Sequence, residues 1–493
     1  MPILPLLAQS YEPEAKDVSI QQLINFYLEP MPQGKESTWQ ALPTPGTTVW
    51  KDLSGSEVRG MLEHLGKLYV VMDSTFYQVT VSGATVTATS KGTLGTSSTP
   101  RISMAATLNE IVIADGTNLW SYNILTDSFS DVTDPDLEAI PNIVMATNGY
   151  FISLIPDTQK FYVSDLNDGT SYNALFFASA EVEPDKLVTG AVVNTRVWLL
   201  GEHSTEIWYN SGAALGAPFD RLSGGALQFG AAAQHSIATS GNSLYCLAKN
   251  RQGLLGVVQA SSEGFNVIST PALNVEMEGY TDVSDAFSFM FKRGSHTFYC
   301  ITFPSVTATT GKTWMFDLST GQWSELQSYD STLTDYDRFY ANCTSYFDNK
   351  QLAGDYQSGK IYTMDFDEHT ERGNTLRRRI VSPHVELNRA RMGLRSIEVQ
   401  VDPEALAESS DPTLTDPSVT VEISRDRGRT WGNQITRNTG ASGEYQKRVL
   451  IRNGGVARSF TFRLTVTDEI PWRILGFWAD LSLSEDARKG VVE

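Results

Sequence analysis

Apolar and polar positions alternate along most of this chain in short bursts set between turn residues. The clearest unit runs from Asn194 to Asn210, NTRVWLLGEHSTEIWYN. Val197 and Leu199 alternate behind a turn pair, and Ile207, Trp208 and Tyr209 form a second run that ends at Asn-Ser-Gly. Period-two alternation broken by a short polar turn predicts a β-hairpin. The pattern returns from Gly66 to Val79, Asn109 to Asn123, Asn148 to Val163, Gly241 to Val258, Gly294 to Leu318 and Asn349 to Phe366. Its leading turn residues fall at 66, 109, 149, 194, 241, 294 and 349, in steps of 43, 40, 45, 47, 53 and 55 residues. Steps of this size, with about four short strands each, predict a β-propeller. The count is about seven blades, with six or eight open, and closure of the ring is expected to borrow a strand from one terminus. Second hairpins repeat as well: WMFDLSTGQW (Trp314 to Trp323) and WSYNILTDSF (Trp120 to Phe129) carry a polar residue, a turn Thr and an aromatic at matching offsets.

The pattern changes at both ends. Residues 1–58 lack the repeat and read as an N-terminal arm and interaction segment. Within it Ser19 to Glu29 suits either one face of a helix or an extended strand. Pro30, Pro32, Pro43 and Pro45 then carry the chain across a surface. Its aromatics Phe26, Tyr27, Trp39 and Trp50 are candidates for packing on a neighbouring subunit or on the same chain. Residues 59–370 are the propeller. Residues 371–493 hold longer alternating runs, Ser396 to Asp402, Ser418 to Asp426, Tyr445 to Arg452, Ser459 to Asp468 and Leu475 to Ser484, which predict a β-sandwich with one wet face. The fold class is all-β.

Charge divides the chain at the same place. Residues 1–370 hold 19 Lys+Arg against 40 Asp+Glu, net −21, and 371–493 hold 19 against 17, net +2; together these give the overall −19. The second region is Arg-rich, with Arg377, Arg378 and Arg379 followed by Arg389, Arg391 and Arg395. A dedicated nucleic-acid binder shows a broader basic face, so Arg377, Arg378, Arg379, Arg389 and Arg391 are read first as a subunit or partner interface, together with Phe26, Tyr27 and Trp39. Phosphate binding and a solvated strand face are the alternatives. The amino terminus has no basic lead and no long apolar run, so neither a signal peptide nor membrane insertion is expected. Three cysteines, Cys246, Cys300 and Cys343, are read as buried reduced thiols.

Candidate chemistry is sparse. Ser424, Asp426, Gly428 and Trp431 spell an Asp box, S-x-D-x-G-x-T-W, a turn that recurs in sialidases, which are also propellers. A carbohydrate-binding or sialidase-like enzyme is therefore the alternative function. The box is itself structural, however, since its carboxylate caps backbone N–H groups, and the acid pair a glycosidase needs is not evident. The six histidines lack ligand spacing, and Asp165 to Thr170 lacks the later Glu of a calcium loop. No catalytic, cofactor or metal site is expected.

One resemblance covers nearly the whole chain. Leu4-Pro5-Leu6, Ile24 to Glu29 before Thr44-Pro45-Gly46, Ser204 to Tyr209 followed by Ser211-Gly212-Ala213, and Lys447 to Val449 through Val456 to Arg458 to Phe462-Arg463-Leu464 resemble the packaged-DNA stabilisation proteins, or tail hub (nozzle) proteins, of short-tailed bacteriophages. The Asp box is a departure from that pattern. The resemblance implies a virion tail protein assembled in the host bacterial cytoplasm. It implies a ring of this chain, typically a hexamer, below the portal and adaptor, which extends the DNA channel, retains packaged DNA and docks a tail needle or plug and tail fibres or spikes. DNA would pass through without sequence-specific binding. A monomeric protein-binding scaffold is a further alternative.

Overall fold

The computed structural model of the chain describes residues 4–33, 37–96, 101–180, 183–212, 217–386, 390–409, 411, 413–441, 443–444 and 447–483. The repeats are blades, and in all but blade seven the strands follow in chain order from the inner edge outward. Blade one spans strands Val58–His64, Lys67–Met72, Thr75–Ser82 and Thr85–Thr93; blade two starts at Ser103–Ala106, blade three at Ile143–Thr147 and blade four at Leu187–Val193. Blade five shares its inner edge between Gly230–Ala231 and Ala238–Ser240, both paired to Ser243–Lys249. Blade six is Phe287–Arg293, His296–Phe303, Lys312–Asp317 and Gln322–Asp330. Blade seven is Ala341–Phe347, Lys350–Asp355 and Lys360–Asp365, and its outer strand is Gly46–Asp52, in register from Lys360↔Asp52 to Asp365↔Gly46. The ring thus has seven blades and closes with a strand borrowed from the N-terminal region.

Local chemistry accounts for the blades. The first hairpin of several blades turns on two consecutive residues with positive φ: Leu65 and Gly66, Asn148 and Gly149, Asn194 and Thr195, Asp348 and Asn349. This is the twist-matched two-residue turn, which is why the recurring turn pairs were visible in the sequence. Apolar residues of the middle strands then pack between blades. Val58, Leu68 and Val70 of blade one meet Leu352 and Ile361 of blade seven, which closes the ring. Cys246 and Cys300 are free, buried thiols on the second strands of blades five and six; burial pushes both upward from the usual thiol range.

The sandwich has two sheets. One runs Phe26–Pro30, Trp39–Pro43, Ile474–Leu483, Met392–Val401, Val449–Ala457, with Leu4–Pro5 beside Ile474–Leu483. The other contains Gln22–Ile24, Arg378–Val381, Ser459–Val466, Ser418–Ser424 and Ile435–Asn438. Leu23, Phe26 and Leu28 enter one core with Ile397, Phe462 and Phe477. The open reading of Ser19 to Glu29 therefore resolves as strand, bent at Asn25, whose φ is +55. The strand Gln22–Ile24 also lies beside Gln322–Asp330 through the parallel pair Ile24↔Glu325. Blade six and the second sandwich sheet are in consequence one continuous eleven-stranded sheet.

Candidate functional site

Three places concentrate polar chemistry. The first is the junction between blade six and the sandwich, built around Asn25. Its Nδ2 donates to the carbonyls of Gln327 at 2.9 Å and Arg377 at 2.8 Å, and its Oδ1 accepts from Gln327 N–H at 3.0 Å. Its backbone N–H donates to Glu325 O at 2.9 Å. Asn tolerates the left-handed conformation better than most residues, so one side chain both bends the strand and saturates the three backbones that meet there. Sequence reasoning missed it; the sole signal is an Asn interrupting an apolar run.

The arginine run lies at this junction. Arg378 is fully buried, its Nη2 donating to Thr44 O at 3.2 Å, while Nε and Nη1 have no partner among the described residues. Burial draws its guanidinium down to about 9 and pushes the nearby buried Glu371 up to about 7. Arg377 donates to Gln327 Oε1 at 2.7 Å and lies 3.7 Å from the centre of the Tyr336 ring. Arg379 is half-buried against Thr465. Phe26 and Tyr27 are buried by the chain itself, and Trp39 packs partly buried against the sandwich core. Arg378, Phe26 and Tyr27 therefore have no surface to offer a partner from this conformation, against the interface role expected of them; all three are buried within the chain itself. Arg391 and Arg395 are exposed. Arg389 lies outside the described residues.

The Asp box forms the turn after the strand Ser418–Ser424. Asp426 accepts from Ser424 Oγ at 2.7 Å, Thr430 N–H at 2.9 Å and Thr430 Oγ1 at 2.6 Å, and these bonds hold its carboxyl down at about 2. Trp431 lies under Arg463, 4.2 Å from ring centre to guanidinium, and Arg463 grips Glu422 through two bonds of 2.6 and 2.7 Å. Gly428, at φ +81, faces Ile20: a Cβ there would stand 2.0 Å from its Cδ1. Arg429 reaches Asp17 at 2.8 Å. The turn thus clamps the N-terminal segment to the sandwich.

The third place is the propeller axis. A cavity of about 370 Å³ is lined by inner-strand residues of the blades, among them Arg59, Ser103, Val144 and Thr189, and by His235 between the two inner segments of blade five. Arg101, just before blade two, spans the axis to blade seven: Nη1 donates to Asn342 Oδ1 at 2.5 Å and Nη2 to Asn342 O, and its guanidinium sits 3.7 Å from the centre of the Phe287 ring in blade six. Burial draws Arg101 down to about 10, and burial together with Arg101 draws His235 down to about 3. Among the described residues no group of three or more His, Cys, Asp or Glu could hold a metal, and no helix is long and apolar enough to cross a membrane. Asp165 to Thr170 is a blade-three turn in which Asp168 Oδ1 caps Thr170.

Both halves of the chain match known family descriptions: residues 3–369 match "Bacteriophage P22 Gp10, beta-propeller" and residues 377–482 match "Bacteriophage P22 Gp10, beta-sandwich". The chain belongs to the P22 Gp10 family. As a Gp10-family member it is a structural protein of the phage tail, found in the virion and assembled with other virion components. No curated protein matches it. Among solved structures it is similar to YCF48 bound to D1 peptide, at 10% identity and a TM-score of 0.38, over 65% of this chain and 97% of that one. It is also similar to PorZ of the type-IX secretion system of Porphyromonas gingivalis, at 12% identity and a TM-score of 0.37, over 80% of this chain and 46% of that one.

Proposed function

We propose that this Gp10-family protein forms a ring, six copies in number, below the portal and adaptor, where it extends the DNA channel, retains packaged DNA and docks a needle or plug and fibres or spikes. The observation that carries the reading is the division of charge between two joined bodies: residues 46–370, which hold the blades, carry 17 Lys+Arg against 35 Asp+Glu, net −18, while residues 1–45 and 371–493, which build the sandwich, carry 21 against 22, net −1, within a family of phage structural proteins. Duplex DNA carries about one negative charge per 1.7 Å of axis. A basic wall would grip it by releasing counterions, whereas an acidic wall lets it slide. The acidic blades accordingly face the lumen, and the sandwich, through exposed cations such as Arg391, meets neighbours. The lumen runs between subunits, because an axial cavity of about 370 Å³ passes no duplex, whose major groove alone is about 12 Å wide.

The continuous sheet through blade six supports the same reading, since a wall under the pressure of a packed genome must not hinge. The protein acts without catalysis: the Asp426 carboxylate of the Asp box is engaged by its own turn. Assembly takes place in the host bacterial cytoplasm before the tail is complete. Electron cryo-microscopy of the purified chain, alone and mixed with DNA-filled heads bearing portal and adaptor, tests the reading. A sixfold ring at the portal vertex with blades inward supports it. Chains that stay monomeric with such heads, or a ring with the sandwich inward, overturn it.

A further inference from the structure

Beside the axis, between the inner strands of blades six and seven, lies an open cleft of about 910 Å³. Its lining includes two cations, Arg101 and Lys292, and a set of neutral hydrogen-bonding groups from residues such as Thr239, Asn342, Tyr346 and Gln351, but no carboxylate. In a region with 40 acids against 19 bases, a cleft without one is a local reversal of the field. Lys292 is exposed. Arg101 makes no ion pair among the described residues: the nearest acid it is tied to is Glu57, reached only through Asn342, whose Nδ2 donates to Glu57 Oε1 at 2.7 Å. With two of its N–H groups on Asn342 and one face on Phe287, Arg101 is pinned in place, and the rest of the guanidinium borders the cleft. A held guanidinium in a partly dry site favours a carboxylate more than a mobile surface lysine does.

The cleft also has a strand edge that is only partly used, by the His235↔Phe287 bridge at one end and by Thr344 at Met290 O. Phe287–Arg293 is the end strand of its sheet. Ser288 N–H donates away from that sheet to His235 O at 3.0 Å, and Met290 O accepts from Thr344 Oγ1 at 3.2 Å. Backbone groups alternate in direction every second residue, so the N–H groups of Met290 and Lys292 point to the same side, where no strand pairs with them. An edge with open N–H groups in a groove is a setting for strand addition, in which main-chain bonds supply affinity and side-chain contacts supply selectivity.

We propose that this cleft binds an extended acidic peptide segment of a partner protein, laid along Phe287–Arg293 with its carboxylates toward Arg101 and Lys292. The charge complementarity and the partly open edge together single out this occupant. The proposal does not depend on the copy number of the ring, and its test uses the whole 493-residue chain.

Fluorescence anisotropy with a labelled peptide Thr-Glu-Val-Glu-Val-Thr, and with its Gln-for-Glu counterpart, measures the effect directly. The acidic peptide is expected to bind at least tenfold tighter than the Gln peptide and to weaken as salt is raised. Lys292→Glu, at an exposed position that leaves the fold intact, is expected to weaken it about tenfold, equivalent to ~1.4 kcal/mol. Lys186→Glu, an exposed lysine outside the cleft, leaves binding unchanged. Arg101→Gln, scored only where its thermal melt matches the parent, weakens it as well. Equal binding by the parent and Lys292→Glu, no binding of the acidic peptide, or displacement by inorganic phosphate at the peptide's own concentration would each overturn the proposal.

Discussion

Replacing Asn25 with Ala removes the side chain on which three strands converge. The residue is 1% exposed, and its loss strips partners from the Gln327 N–H, the Gln327 carbonyl and the Arg377 carbonyl. A buried backbone group left unpaired costs about 1–3 kcal/mol, and the left-handed backbone costs a non-glycine, non-Asn residue about 1–2 kcal/mol more. Water entering the vacated space recovers part of this, so the expected loss is ~3–5 kcal/mol, at the severe end for a single substitution. Because the damage sits at the junction, it should appear as local opening rather than as general weakening. Amide hydrogen exchange reads this residue by residue. Amides in Gln22–Ile24 and Arg378–Val381 should exchange ~140- to 4,000-fold faster, while those in the middle strands of blades two and three stay within a few-fold of the parent. Asn25→Gly relieves the backbone but not the hydrogen bonds, and should recover ~1 kcal/mol relative to Ala. A loss below ~1 kcal/mol, or acceleration spread evenly over all blades, would refute the view that Asn25 locks the two bodies together.

Three further outcomes follow from the site geometry. The folded carboxyl of Asp426 is depressed from 3.8 to about 2, so its stabilising contribution is complete above 3.8 and disappears as pH falls through about 2; thermal melts over that window should show acid sensitivity in the parent that Asp426→Asn lacks. Gly428→Ala forces a methyl toward Ile20 at a φ of +81 and should destabilise by ~1–3 kcal/mol, which melts together with proteolysis of the Asp17 to Ile20 segment would register. Arg391→Glu, at an exposed site, should leave the melting temperature of the isolated chain unchanged and reduce ring formation on heads, with light scattering and electron microscopy as the readouts; normal rings would remove Arg391 from the subunit contact.

The propeller was legible because each blade carries its own instructions. Turn pairs such as Asn148-Gly149 and Asn194-Thr195 set hairpins through contacts a few residues apart, and the alternation of Val197 and Leu199 needs nothing from elsewhere. The junction was not legible, because Gln22–Ile24 is a three-residue strand whose partners lie at Glu325 and at Arg379 to Val381. No period develops in so short a segment, and its stabilisation is wholly non-local. Arginines also read as surface residues in sequence, so the burial of Arg378 left no trace there. Arg101 is a lone cation ahead of an inner strand, and its position across the axis depends on the ring having closed. The Asp box was readable for the opposite reason: the bonds that make its turn, from Ser424 and Thr430 to Asp426, fall within it.

The borrowed strand has a consequence for the growing chain. Asp52 pairs with Lys360, 308 residues later (360 − 52), and Leu4 with Ala479, 475 residues later (479 − 4). At about 5–20 residues per second of synthesis, Gly46–Asp52 waits roughly 15–60 seconds for its partner, and the first strand waits longer still. Blades one to six can form behind the ribosome, but the ring stays open until Lys360–Asp365 emerges, and the sandwich lacks its central strand until Ile474–Leu483 does. The axis therefore comes into being once Asp365 has emerged, whereas the joined sheet needs Ser459–Val466, so that a chain stopped between them carries a closed ring without its sandwich.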